Sequence, residues 1–140
     1  MKILIICSKQ FYPKIEYIIR ILKNKGIEVF LPNCYDKPKT EERMWQLEKE
    51  KHQEFKAKMY RQSENVIKDM DAVLVLNFDK IVDGKVYENY IGGATFLEIY
   101  DAFRYNKKIY LYHDIPKGIL YDEIDGFSPV IIHENLDMIT

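Results

Sequence analysis

The sequence predicts a doubly wound α/β fold, and three observations carry that expectation. Five short aliphatic runs punctuate the chain, helical patterns separate them, and a Gly-Gly pair lies between the third run and the helix that follows it. Strands separated by helices need crossover connections, which are right-handed and generate a parallel sheet covered on both faces.

Each element has a local reason. Ile3–Cys7, Glu28–Leu31, Ala72–Asn77, Ile109–Tyr112 and Val130–Ile132 are rich in β-branched or aliphatic residues, as strands buried on both faces require. Ile15, Ile18, Ile19 and Leu22 recur at helical spacing, and Gly26 follows where a C-terminal cap belongs. Phe96, Ile99, Ala102 and Phe103 repeat that spacing after the glycines. Thr40 to Met70 is highly charged and free of glycine and proline, so it reads as one long helix. Thr40 is its expected N-cap, Phe55, Met59, Gln62 and Val66 its expected buried face, and Glu54/Lys58 and Glu64/Lys68 its helix-spaced ion pairs. Met44, Trp45 and Leu47 near its start are expected to pack on the domain, cover a ligand or meet a second subunit. The architecture expected is a single domain over residues 1–140, of the flavodoxin or Rossmann kind, with five mainly parallel strands and one long charged helix.

Composition narrows the function. With 140 residues, 47% of them hydrophobic, the chain has the size of one domain with its own core. The 21 basic and 22 acidic side chains leave a net charge of -1, so no global field recruits a nucleic acid polymer or a membrane surface. The expected partner is a small molecule. Cys7 and Cys34 read as free thiols of a reducing compartment. Ile3 to Ile6 is too short for a signal-peptide core or a membrane span, so a cytoplasmic location is expected.

In an open parallel sheet, ligands bind beyond the carboxyl ends of the strands, which makes the residues after each strand the candidates. These are Cys7, Ser8, Lys9, Gln10, Phe11 and Tyr12 after the first, and Pro32, Asn33 and Asp36 after the second. Asn77, Asp79 and the loop to Gly93 follow the third, and His113, Asp114 and Pro116 follow the fourth. Phe11 and Tyr12 offer aromatic faces to a flat ligand, or they serve the core. His113 beside Asp114 suits acid–base chemistry, or caps a turn. Neither the dinucleotide fingerprint nor the Walker phosphate loop occurs. His52, His113 and His133 are scattered and no CxxC or HExxH is present, so neither a metal nor another cofactor is expected.

Tyr90-Ile91-Gly92-Gly93-Ala94-Thr95-Phe96-Leu97-Glu98 is the most informative stretch. Adjacent glycines admit a ligand to backbone N–H groups, a helix starting there aims its positive end at the same place, and Glu98 is rooted just behind.

Asp71-Ala72-Val73-Leu74-Val75-Leu76-Asn77, Gly92-Gly93-Ala94-Thr95-Phe96-Leu97-Glu98-Ile99-Tyr100-Asp101-Ala102-Phe103 and Lys107-Lys108-Ile109-Tyr110 together resemble the nucleoside 2-deoxyribosyltransferase-like superfamily. Cys7-Ser8-Lys9 and Gly26-Ile27-Glu28-Val29-Phe30-Leu31-Pro32 are similar to it as well, so the likeness runs through the chain in order. The glutamate segment is its specific part. The resemblance implies cleavage or transfer of the N-glycosidic bond of a nucleoside or nucleotide. The glutamate matching Glu98 attacks the anomeric carbon, displaces the base and forms a covalent glycosyl-enzyme intermediate, the two-step logic of retaining glycosidases. The competing reading of Glu98 is a structural glutamate serving the helix dipole.

The transferases of that superfamily carry an aspartate six residues before the nucleophile, and here that position is Gly92. Asp79, Asp83, Glu88 and Asp114 are the acidic residues available to replace it. Asp101, three residues beyond Glu98, either raises the glutamate's pKa or faces solvent. The superfamily also contains deoxynucleoside monophosphate N-glycosidases, to which Ser8 corresponds as a first-loop serine and Lys9 as a nearby basic residue. Asp125-Gly126-Phe127-Ser128 is similar to a segment that these enzymes deliver from a neighbouring subunit, which implies a homodimer or larger assembly. The competing reading of Ser128 is an ordinary turn before Pro129. The different-class alternative is a nucleotide-binding regulatory or interaction module that keeps the fold without the chemistry.

Overall fold

Alternation decides where each strand sends its side chains. The computed structural model describes residues 1–33, 35 and 49–140. In chain order the described elements are β1 (Lys2–Ile6), a 3-10 turn (Lys9–Lys14), α1 (Ile15–Asn24), β2 (Glu28–Phe30), α2 (Lys49–Lys68), β3 (Ala72–Val75), β4 (Lys80–Val82), β5 (Lys85–Tyr87), α3 (Gly93–Arg104), β6 (Lys108–Leu111), α4 (Tyr121–Gly126), β7 (Val130–Ile131) and a last 3-10 turn (Leu136–Met138). Ile3 and Ile5 of β1 point to one face of the sheet, Leu4 and Ile6 to the other, and all four are buried. Burying an aliphatic side chain of this size contributes about 1.5–3 kcal/mol, so both faces must be covered.

The chain covers them with different helices. On one face Ile15, Ile18 and Leu22 of α1 pack on Ile3, Ile5, Leu74 and Tyr110, and Leu136 and Ile139 from the last turn close the layer. Lys25 ties that turn down, its Nζ donating to the Leu136 carbonyl at 2.6 Å and the Ile139 carbonyl at 3.3 Å. On the other face Ile67 of α2, Ile99 and Ala102 of α3 and Ile124 of α4 meet Leu4, Ile6, Val73, Val75 and Leu111.

Five strands form a sheet in the order β2-β1-β3-β6-β7, every pair parallel. Counting only its own strands, this is the 2-1-3-4-5 order of flavodoxin-like folds, whose direction of winding reverses between β1 and β3. The expected fold class is therefore the observed one. Strand ends shift by a residue or two: Cys7, Leu31, Leu76, Asn77, Tyr112 and Ile132 lie just beyond the paired segments, and Lys2 and Lys108 lie within them.

Two helix ends show how local sequence stops an element. After α1, Gly26 takes φ +81°, its N–H reaches the Lys23 carbonyl at 2.9 Å, and Ile27 N–H reaches the Leu22 carbonyl at 3.1 Å. That is a Schellman motif, and the left-handed residue suits glycine. Asn106, at φ +56°, builds the same motif after α3.

Two expectations change, and a third falls partly outside the described residues. A two-stranded antiparallel hairpin, β4–β5, stands where only a loop was expected. Asp83 and Gly84 take φ +51° and +77°, as a two-residue type I′ turn requires, so the Asp-Gly pair was the signal for it. The charged helix is described from Lys49 to Lys68; Thr40, Met44, Trp45 and Leu47 lie outside the described residues. Its buried side is set by Ser63 and Ile67, one position round from the expected stripe, and Gln62 is exposed. Of its expected ion pairs, Glu64 and Lys68 stand 3.8 Å apart.

Candidate active site

The reversal between β1 and β3 leaves a gap at the carboxyl end of the sheet, and four chain segments border it. β1 delivers Cys7, Ser8 and Lys9, the loop after β2 delivers Asn33, α2 delivers Lys56, Tyr60 and Ser63, and α3 delivers Gly92 to Thr95 together with Glu98. They enclose a cavity of about 270 Å³, near the lower end of the ~300–1,000 Å³ usual for small-molecule sites.

The start of α3 is built to face a ligand. Gly92 is its N-cap with extended backbone (φ −82°, ψ 173°), no side chain caps it, and its first turn carries no acidic residue. Its leading N–H groups and the positive end of the helix dipole therefore face the cavity, an arrangement suited to an anion. A Cβ at Gly93 would meet nothing within 4 Å, so the space in front of the helix is open. Ser8 opens the 3-10 turn after β1, and its hydroxyl makes no capping bond there.

Residues 92, 95 and 98 share one face of α3, which brings Glu98 to the cavity wall while Ile99 and Ala102 face the sheet. Glu98 is half-buried, its remaining exposure facing the cavity. Burial pushes its carboxyl up to about 7, Ser63 holds it down through a hydrogen bond, Asp101 raises it and Lys56 lowers it. Asp101 thus acts on Glu98 while its own carboxylate pairs with Arg104 at 2.7 Å. Cys7, a free thiol at the cavity base, is pushed up to about 12 by burial and by Glu98, so it stays protonated and poorly nucleophilic.

The far wall is held by hydrogen bonds. Asn33 Nδ2 donates to Ser63 Oγ at 2.5 Å and to the Met59 carbonyl at 3.2 Å, and Gln62 Nε2 donates to Asn33 Oδ1 at 3.3 Å. Tyr12 Oη donates to the Asn33 carbonyl at 3.1 Å, joining the loops after β1 and β2.

Of the residues singled out from the sequence, Glu98, Ser8, Lys9, Tyr12, Asn33, Gly92 and Gly93 come together at this cavity. The others have different places. Phe11 is buried in the core, its ring edge-on to Phe78 at 5.5 Å. Asn77 is fully buried and staples β3 to the end of β6: Nδ2 donates to the His113 and Asp114 carbonyls at 3.0 and 2.9 Å, and Oδ1 accepts from His113 N–H at 2.8 Å. Asp79 accepts from Asn89 N–H at 3.0 Å and so closes the loop around the β4–β5 hairpin. Asp114 lies in an exposed loop 3.7 Å from His133, and His113 stands 3.4 Å from Glu134. Ser128 is exposed just after α4, at φ +53°. None of these six lines the cavity. Cys7, a candidate by its place after the first strand, also lines the cavity, whereas sequence reasoning passed over Lys56, Tyr60, Ser63 and Thr95; only the helical offset of Lys56, Tyr60 and Ser63, at four and three residues, signalled a shared face.

Among the described residues no three His, Cys, Asp or Glu side chains converge as metal ligands, and no helix is long and apolar enough to cross a membrane. No family model matches the sequence, and no curated protein matches it. A solved structure does: the CMP N-glycosidase BcmB of Clostridium botulinum is 19% identical, with a TM-score of 0.50 over 94% of this chain and 84% of that one. At that identity the likeness is one of fold, and the chain is similar in fold to an N-glycosidase.

Proposed function

We propose that this protein binds a nucleoside or nucleotide and cleaves or exchanges its N-glycosidic bond, as a divergent member of the nucleoside 2-deoxyribosyltransferase-like superfamily. The observation that carries the reading is Glu98, a carboxylate on the wall of a small cavity that also holds an uncapped helix N-terminus. An anionic substrate phosphate fits against the N–H groups of α3 with Ser8 and Lys9 beside them, which leaves the sugar between that end and Glu98. In the first step a Glu98 oxygen bonds to the anomeric carbon as the carbon–nitrogen bond breaks, its electron pair leaving with the base. Water or a second base then displaces Glu98 and regenerates the carboxylate.

Only ionised Glu98 attacks. A carboxyl raised to about 7 is a better nucleophile once ionised and a more sensitive one to pH. Lys56 and the Ser63 hydroxyl favour that ionised form.

One observation favours the alternative of a binding module. Among the described lining residues Glu98 is the one carboxylate, and Gly92 offers no side chain to protonate a departing base. Lys9, Lys56, Tyr12 and Tyr60 are the lining proton donors that remain.

Assembly as a homodimer or larger belongs to the same reading. Phe127 stands 6.2 Å from Phe96, 6.2 Å from Tyr100 and 4.8 Å from Phe103, and Tyr100 and Phe103 are both exposed. This aromatic surface lies next to Ser128, in the segment that is similar to one the superfamily's N-glycosidases deliver from a neighbouring subunit. Solution mass tests it: a strict monomer removes any role for Ser128 in a partner's cavity.

The central test is chromatographic. Incubation with ribo- and deoxyribonucleosides and their monophosphates, CMP first among them, with and without a second free base, should release or exchange base, and Glu98→Ala should abolish it. Absence of turnover across the panel, with ligand-induced thermal stabilisation unchanged in Glu98→Ala, would leave the binding module.

A further inference from the structure

Three polar side chains, Ser63, Asn77 and Thr95, are buried among the described residues. Asn77 spends its amide on the His113 and Asp114 backbone, and Ser63 Oγ accepts from Asn33 Nδ2 at 2.5 Å. Thr95 differs from both. It keeps only 4% of its surface exposed, yet its hydroxyl has no hydrogen-bond partner among the described residues. Threonine in a helix commonly turns its hydroxyl onto a carbonyl one turn back, and here no such bond forms. The oxygen is not sealed from solvent, and the space that Thr95 borders is the cavity. A buried hydroxyl that opens on a site without a protein partner is held ready for a ligand atom.

Its place on α3 says which atom. Thr95 lies one turn before Glu98 on the face that both present to the cavity, and side chains three residues apart on a helix have Cβ atoms about 5–6 Å from each other. Helical side chains lean toward the N-terminus, so Glu98 leans back toward Thr95. A nucleophile that displaces a base in line approaches the anomeric carbon from the face opposite that base. In a β-nucleotide the ribose 2′-hydroxyl lies on that same face, on the adjoining carbon.

We propose that Thr95 is a specificity-determining residue whose hydroxyl hydrogen-bonds the substrate's 2′-hydroxyl, so that the substrate class is the ribonucleotide rather than the 2′-deoxyribonucleotide. This rests on the reading of Glu98 as the nucleophile. A 2′-deoxy sugar leaves the Thr95 hydroxyl without that partner, and a site built to bond a substrate hydroxyl rejects the analogue that lacks it. A bond at the 2′ position also strengthens as charge develops on the sugar ring, so the preference belongs to turnover as well as to binding.

The test pairs ribonucleoside 5′-monophosphates of the four bases with their 2′-deoxy counterparts, using Thr95→Val, which removes the hydroxyl but keeps the β-branched shape, and Thr95→Ser, which keeps the hydroxyl. Affinity is measured by calorimetry in a Glu98→Gln background, and kcat/KM by base release with Glu98 intact. With Thr95 in place the ribonucleotide should be favoured by about 10–100-fold. Thr95→Val should bring the ratio close to one by weakening the ribonucleotide, and Thr95→Ser should retain most of the preference. A ratio unchanged in Thr95→Val overturns the assignment, as does an equal loss on both sugars, which packing or a phosphate contact would give. A valine effect that follows the 3′-hydroxyl in 3′-deoxynucleotides overturns it too. A ratio that depends on Thr95 in a protein that releases no base supports Thr95 as the sugar contact and removes the glycosidase reading. Base release with a ratio blind to Thr95 does the reverse, and binding of none of these nucleotides overturns both.

Discussion

Two loop clusters lie at the carboxyl end of the same sheet, and they use their polar groups in opposite ways. Beyond β6, Asn77 spends its whole amide on the His113 and Asp114 backbone, while His113 stands 3.4 Å from Glu134 and His133 stands 3.7 Å from Asp114. Beyond β1 and β2, Ser8, Lys9 and, from α3, Glu98 border a cavity instead, and Asn33 both borders it and holds its wall together. Both clusters have the residue types from which sites are made. The difference is that α3 starts and α2 crosses at the β1 side, holding the walls apart, whereas the β6 side collapses on its own side chains. A list of polar residues after strands therefore does not identify a site until the packing shows which of them are already spent.

The contrast can be broken most directly at Glu98. Glu98→Ala should lower turnover by at least about 10³-fold in the nucleotide assay, while leaving the protein folded by circular dichroism. Asn77→Ala should do the reverse. It strands three part-buried backbone groups, for a loss of about 2 kcal/mol in denaturant unfolding, with kcat of the remaining folded protein little changed.

Glu98 should also show as a pH-dependent stability cost. Its folded pKa, about 7, lies above the value of an unfolded glutamate, so the native state binds the proton more tightly and is favoured at low pH. That contribution is present below the unfolded pKa of about 4.3 and is lost as pH rises to about 7. Glu98→Gln should therefore match the parent near pH 4 and exceed it above pH 7, by up to about 3 kcal/mol before screening through the open cavity. A pH-independent difference in thermal midpoint would remove the poised carboxylate from the comparison. The smallest effect belongs to the other cluster: Glu134→Gln should change stability by no more than about 0.5 kcal/mol, since its pairing with His113 is on the surface.

Sequence patterns were read correctly where the information is local. The aliphatic runs marked the strands because a strand buried on both faces admits little else, and Gly26 marked the end of α1 because only a left-handed residue completes that cap. Glu98 was legible for a similar reason: a glycine pair, a helix start and a carboxylate six residues on occupy one short segment whose geometry follows from helix periodicity. The Asp83-Gly84 turn was equally local, and it was missed by reading the segment as a ligand loop.

What lies across the cavity was not legible. Ser63 and Lys56 sit in a charged helix whose periodic pattern pointed one position away, and only the docking of α2 against α3 turns them toward Glu98. Asn33 meets Ser63 across thirty residues of chain, and Asn77 finds its partners thirty-six and thirty-seven residues on. By itself the sequence determined the strands, the main helices, the sheet's parallel winding and the place of Glu98, because periodicity and capping act over a few residues. The tertiary structure alone decided which polar groups are consumed by the fold and which border the cavity, because hydrogen bonding between distant segments is set by how helices dock on the sheet.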